Sequence, residues 1–107
     1  MNESVHLVYM TAATREEALK IGRALVQEKL AACVNILGPS TSIYRWQDSI
    51  DESEETSFIA KTTAKQVAKL SERVKELHSY DTPCVVSVPI AGGNEEFIQW
   101  LVDSCLK

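Results

Sequence analysis

Two short phrases, Thr14-Arg15-Glu16-Glu17 and Thr63-Ala64-Lys65-Gln66, constrain this chain more than any others. Each has the form of a helix capping box, in which a Thr hydroxyl accepts the third helical N–H and a Glu or Gln reaches back. Apolar residues follow at helical spacing. After the first box come Ala18, Leu19, Gly22, Leu25, Val26 and Leu30; after the second come Val67, Leu70, Val74 and Leu77. Each stripe is apolar on one side, so each helix needs a surface to lie on. Gly22 falls on the apolar side of the first. A glycine there costs about 1 kcal/mol against alanine, so its use is close backbone packing on a sheet.

Strands supply that surface. Val5 to Met10 is apolar apart from His6 and reads as a central strand buried on both faces. Ala32 to Leu37 is a second strand. Gly38-Pro39-Ser40 bends and interrupts it, and Ile43-Tyr44-Arg45-Trp46 resumes extended structure. Gln47 to Asp51 reads as a polar turn. Glu55 to Thr62 returns, with Phe58 and Ala60 alternating against Ser57 and Ile59, which makes a long bent hairpin. Cys84 to Ile90 is the fourth strand, and Pro89 belongs at its edge or end because it cannot donate to a ladder. Asn94 is an N-cap for a terminal helix carrying Phe97, Ile98, Leu101, Val102 and Cys105. The order predicts an α+β, ferredoxin-like βαββαβ fold: a four-stranded antiparallel sheet, both long helices on one face, and a C-terminal helix.

The chain has 107 residues, which predicts one domain over 1–107. Apolar residues make up 45%, enough for a packed core. A net charge of −4, with Lys and Arg scattered among Asp and Glu, argues against nucleic acid and against an anionic membrane as partner. Met1-Asn2-Glu3-Ser4 lacks the basic start of a signal peptide, and no apolar run approaches the ~20 residues that span a bilayer. Cys33, Cys84 and Cys105 are odd in number, far apart and without a C-x-x-C pair, which fits a reducing cytoplasm and unpaired thiols. No Ser-His-Asp order, G-x-S-x-G, H-E-x-x-H or phosphate-loop pattern is present. Cys84 with His78 is a nucleophile–base pair by residue type alone, so the reading is that the chain is not an enzyme.

Several phrases stand in a familiar order. Glu28-Lys29-Leu30-Ala31-Ala32-Cys33-Val34-Asn35-Ile36, then Ser42-Ile43-Tyr44-Arg45-Trp46, then Ile59-Ala60-Lys61-Thr62-Thr63 resemble the CutA family. His78-Ser79-Tyr80-Asp81-Thr82-Pro83 resembles the family's His-Pro-Tyr-Glu-x-Pro-Glu loop, and Asn94 to Leu101 its closing Trp-Leu segment. The likeness runs from about Val8 to Leu101. Ser79 stands where the family usually has proline, Asp81 and Cys84 where it has glutamates, and Asp48-Ser49 where it has a Gly-Lys pair. The resemblance implies a homotrimer whose hairpin arms pair with neighbours, and a role in tolerance of copper and other divalent metals. It also implies kinship with PII-type signalling trimers, which bind a small ligand or partner protein in intersubunit clefts.

Candidate site residues follow from both readings. The resemblance points to His78, Met10 and Cys84 as metal donors; imidazole with sulfur suits copper, above all Cu(I), and no metal is needed for folding. Against this, His78 also suits a helix C-terminus, Met10 suits a core, and His6 reads as a structural histidine. The acidic run Asp48, Asp51, Glu52, Glu54 and Glu55 lacks the spacing of a calcium loop. Tyr44, Trp46 and Tyr80, with Lys61 and Asp81, are the expected lining of intersubunit clefts, since aromatics are enriched where subunits meet. Lys61 also stands where it can meet an anion at the start of the second helix.

Overall fold

The first capping box forms. Thr14 Oγ1 accepts the Glu17 N–H at 3.1 Å and starts helix α1 (Arg15–Gln27). The Glu17 carboxylate reaches back as well, but to the Ala13 N–H at 3.0 Å. The computed structural model describes residues 4–107; Met1-Asn2-Glu3, read above for leader character, lie outside the described residues. The buried stripe of α1 is Ala18, Ile21, Gly22 and Leu25, at helical spacings of three, one and three. Ile21, absent from the expected stripe, lies at its centre, and Val26 turns outward because it sits 100° past Leu25. A Cβ on Gly22 would meet Val34 Cγ1 at 3.0 Å, so the expected close approach is real. Lys29 takes a left-handed turn (φ 61°) after the helix, and Leu30 N–H returns to Leu25 O at 2.9 Å.

The second capping box does not form. Thr63 ends a strand, and a single 3-10 turn at Ala64–Gln66 leads into α2 (Val67–Leu77) with no side-chain cap at either start. Tertiary contacts turn the Gln66 side chain away instead, and its Oε1, the acceptor the box needs, is left without a partner. Ala64 N–H donates to Ser4 O at 2.9 Å, Gln66 Nε2 donates to Leu106 O at 2.9 Å, and Thr63 Oγ1 is buried without a partner.

Four strands, β1 (Val5–Ala12), β2 (Cys33–Trp46), β3 (Ser49–Thr63) and β4 (Val85–Pro89), form one antiparallel sheet in the order β2-β3-β1-β4. Pro89 ends β4, an edge strand, as its missing N–H requires. The bend at Gly38-Pro39-Ser40 does not interrupt β2. The register slips there by one residue between Ile36 and Gly38, and Gly38 supplies the positive φ (114°) that such a bulge uses. The turn is also tighter than expected. Gln47 and Asp48 alone make it, both with positive φ (47° and 67°), so Asp51, Glu52, Glu54 and Glu55 of the acidic run lie within β3 rather than in a loop. The resulting arm gives the subunit extents of 47 × 25 × 22 Å.

Helices α1 and α2 share one face of the sheet. Val8, Met10 and Ala12 of β1 and Phe58 and Ala60 of β3 are fully buried there against Ile21, Leu25, Leu70 and Val74. Helix α3 (Glu95–Ser104), capped by Asn94 Oδ1 on Phe97 N–H at 3.1 Å, closes one end of the sheet. Its Leu101 and Cys105 pack on Val5 and Ala32. Central strand β1 is therefore not buried on both faces: Tyr9, opposite Val86 and Ile59 in register, is exposed.

Candidate functional site

Strand alternation sorts the second face of the sheet. Tyr9 is 36% exposed, Val86 54%, Val88 53% and Leu37 57%. Toward the arm this face turns polar. Tyr9 Oη and Ser57 Oγ lie 2.8 Å apart, and Ser57 Oγ lies 2.7 Å from Ser40 Oγ, a line of hydroxyls across β1, β3 and β2. At the other end, Lys61 Nζ donates to Asn35 Oδ1 at 2.7 Å and stands 5.8 Å from the Phe97 ring centroid. Lys61 thus serves the sheet face and not the start of α2.

The loop between α2 and β4 meets the base of the arm. Tyr80 Oη donates to Glu55 Oε2 at 2.9 Å. Burial, then this bond and the Glu55 charge, push the Tyr80 phenol up to about 12, so it stays a neutral donor. Cys84 is exposed, and partial burial with the Glu55 charge pushes its thiol up. Such a thiol is protonated at neutral pH and is a poor nucleophile.

His78 lies beneath that loop with its side chain fully buried. Its Nε2 is 2.8 Å from Thr11 O, and its Nδ1 accepts the Tyr80 N–H at 3.0 Å. A carbonyl only accepts, so Nε2 carries the proton and the ring is the Nε2–H tautomer. Glu17 holds the same loop from the other side, accepting from Ser79 N–H at 2.7 Å and Ser79 Oγ at 3.1 Å. Burial alone would raise the Glu17 carboxyl. The bonds from Ser79 and Ala13 outweigh it and hold the group below its ordinary value.

The expected donors do not converge as an open set. Met10 is fully buried on the helix-covered face. Its partner in β4 is Val85, so Cys84 lies one residue beyond, and its thiol neighbours Glu55 rather than the thioether. Among the described residues, no group of three or more His, Cys, Asp or Glu side chains is placed to hold a metal ion. His6 is half-buried, with Nδ1 lacking a partner. Of the expected cleft residues, Tyr80 meets Glu55, Tyr44 lies close enough to act on the Tyr80 phenol, and Asp81 is exposed on the adjoining loop. Trp46 is 59% exposed at the arm's tip. Lys61 lies six residues along β3 from Glu55, about 20 Å away at strand rise. Glu17, Glu55 and the Ser40–Ser57 pair were missed as site residues. Glu17 was legible as a cap; nothing local marks the others.

The fold fixes the class: a small ferredoxin-like α+β subunit with a long β-hairpin arm. Residues 6–104 match the family described as CutA1 divalent ion tolerance protein, and this chain belongs to that family. It is 50% identical over 95 residues to the divalent-cation tolerance protein CutA of Thermus thermophilus, covering 89% of this chain and 92% of that one. The solved structure of the Thermus thermophilus protein superposes with a TM-score of 0.93 at 46% identity, over 94% of this chain and 98% of that chain. A chloroplastic CutA protein of Arabidopsis thaliana is 40% identical over 98 residues, 92% of this chain and 54% of that protein. A structure described as the periplasmic divalent cation tolerance protein of Archaeoglobus fulgidus gives a TM-score of 0.90 at 39% identity, over 94% and 97% of the two chains. Relatives thus work in several compartments. No helix among the described residues is long and apolar enough to cross a membrane.

Proposed function

We propose that this chain serves divalent-cation tolerance as a homotrimer that works through clefts between its subunits and catalyses no reaction. One observation supports this reading above the rest: the sheet face carrying Tyr9, Val86, Val88 and Leu37 is apolar and bare in a single chain. Exposed apolar patches beside free strand edges are aggregation hazards unless a partner covers them. Covering that face in a trimer would bring the Tyr80–Glu55 pair and Tyr44 against a neighbouring subunit. A cleft so lined offers hydroxyls and a carboxylate to a small polar ligand or a partner protein, the second role the reading admits. Copper, in this reading, meets the chain at Cys84, the exposed one of the three expected donors. Its binding should weaken as pH falls, because the metal must displace a thiol proton. Three free thiols favour the cytoplasm as the working compartment.

Light scattering on the purified chain at micromolar concentration tests the assembly. The expected mass is three times 11.9 kDa; the mass of one chain sinks the proposal. Calorimetric titration with Cu(I), Cu(II), Zn²⁺ and common nucleotides then separates metal from ligand binding. Cu(I) heat lost in Cys84→Ser supports the metal role, whereas nucleotide heat with none from metals supports the ligand role.

A further inference from the structure

We infer that His78 is a positioning residue, a clamp that fixes the α2–β4 loop on β1 and the arm, and that His78, Met10 and Cys84 do not form a metal centre. Both ring lone-pair positions of His78 are occupied. An imidazole binds a metal through an unprotonated ring nitrogen. Nε2 of His78 is committed as a donor to Thr11 O at 2.8 Å, and the Nδ1 lone pair is committed to the Tyr80 N–H at 3.0 Å. The ring has no exposed surface. A metal at Nε2 would have to break a buried hydrogen bond and strand Thr11 O, and one at Nδ1 would have to displace the Tyr80 N–H from a part-buried bond. The two other expected donors give no compensation. The Met10 thioether faces the apolar core, and Cys84 is exposed, with the Glu55 charge acting on its thiol.

What the clamp does can be traced. His78 caps α2, and its ring ties the loop to the end of β1 through Thr11. Glu17 ties Ser79 to the start of α1. Between these anchors the Tyr80 N–H is pinned, and the Tyr80 ring packs on the imidazole at 4.7 Å between centroids. Its hydroxyl is thereby aimed at Glu55, at the base of the arm. The histidine sets the geometry of the polar patch without touching what binds there.

Gln is the discriminating substitution. Its amide can donate to Thr11 O and accept from Tyr80 N–H, as the ring does, but it is a poor ligand for copper. His78→Gln is expected to bind Cu(I), in competition with a chelating dye, within about twofold of wild type. His78→Leu removes both bonds, and the Tyr80 amide should exchange about tenfold faster. Long-range ¹⁵N–¹H spectra of the unaltered protein give a check that depends on no variant. They should show a protonated Nε2 and a bare Nδ1 on His78, unchanged when stoichiometric Cu(I) is added. A ring nitrogen that shifts on Cu(I) addition overturns the inference. So does Cu(I) affinity about tenfold or more weaker in His78→Gln with Tyr80 protection intact.

Discussion

The two faces of one sheet have opposite fates. Val8, Met10, Phe58 and Ala60 point to one side and are sealed by α1 and α2 of the same chain. Tyr9, between Val8 and Met10 on β1, and Val86 and Val88 of β4 point to the other side and stay open. Strand alternation makes both faces apolar, but two helices can cover only one. The covered face explains why the chain folds; the open face is the surface that the proposed trimer would cover.

The largest effect belongs to the covered face. Phe58→Ala should lower stability by about 3–5 kcal/mol, because it leaves a cavity in the packed core. Guanidinium unfolding at fixed protein concentration measures this, and a loss under about 1 kcal/mol would erase the contrast between the faces. Val86→Asp is the counterpart on the open face. A charge buried there by a neighbour costs several kcal/mol, whereas in a lone subunit it costs little. The expected result is a drop in mass to one chain with unchanged circular dichroism. An unchanged mass would mean that this face meets no partner.

The fastening of the covered face at the start of α1 responds to pH. The Glu17 carboxyl sits below its ordinary value in the fold. The unfolded chain therefore takes up this proton first as pH falls. The stability Glu17 contributes is fully present above its ordinary value of 4.5 and is lost as pH drops through the lower folded value. Glu17→Gln should flatten that part of the stability–pH curve, measured by thermal unfolding between neutral and acid pH; an unaltered curve would assign the acid loss to other groups.

The smallest effect separates the two capping sequences. Thr14→Ala should cost about 1 kcal/mol, the value of a lost N-cap. Thr63→Val should cost nothing or stabilise slightly, because it replaces a buried hydroxyl that has no partner. Equal losses in denaturant midpoints would show that both threonines act as caps.

Much of this was legible locally. Thr14 and Glu17 cap α1 as their spacing requires, Asn94 caps α3, and Pro89 ends an edge strand. The misreadings share one cause. Thr63, Ala64 and Gln66 match a capping box as well as Thr14 to Glu17 do, yet their groups are drawn to Ser4 and Leu106, far off in sequence. The expected returning strand began only at Glu55 because Asp51, Glu52 and Glu54 look like turn residues. Paired across β2, as Thr41 Oγ1 is to Glu54 Oε1 at 2.6 Å, they are strand residues.

The candidate site was less legible than the fold. Residue types named His78, Met10 and Cys84 together, but what a donor can do depends on which lone pair is free and which face it occupies. Neither is a property of spacing. By itself the sequence determined the order of elements, the helix-facing stripes and membership in a family, because periodicity and capping act within a few residues along the chain. Only the tertiary structure decided which sheet face stays bare, that Tyr80 meets Glu55, and that the His78 ring is spent on Thr11 O and Tyr80 N–H. Those contacts join residues 25 to 67 positions apart or turn on one hydrogen-bond partner, and no local rule selects among such pairings.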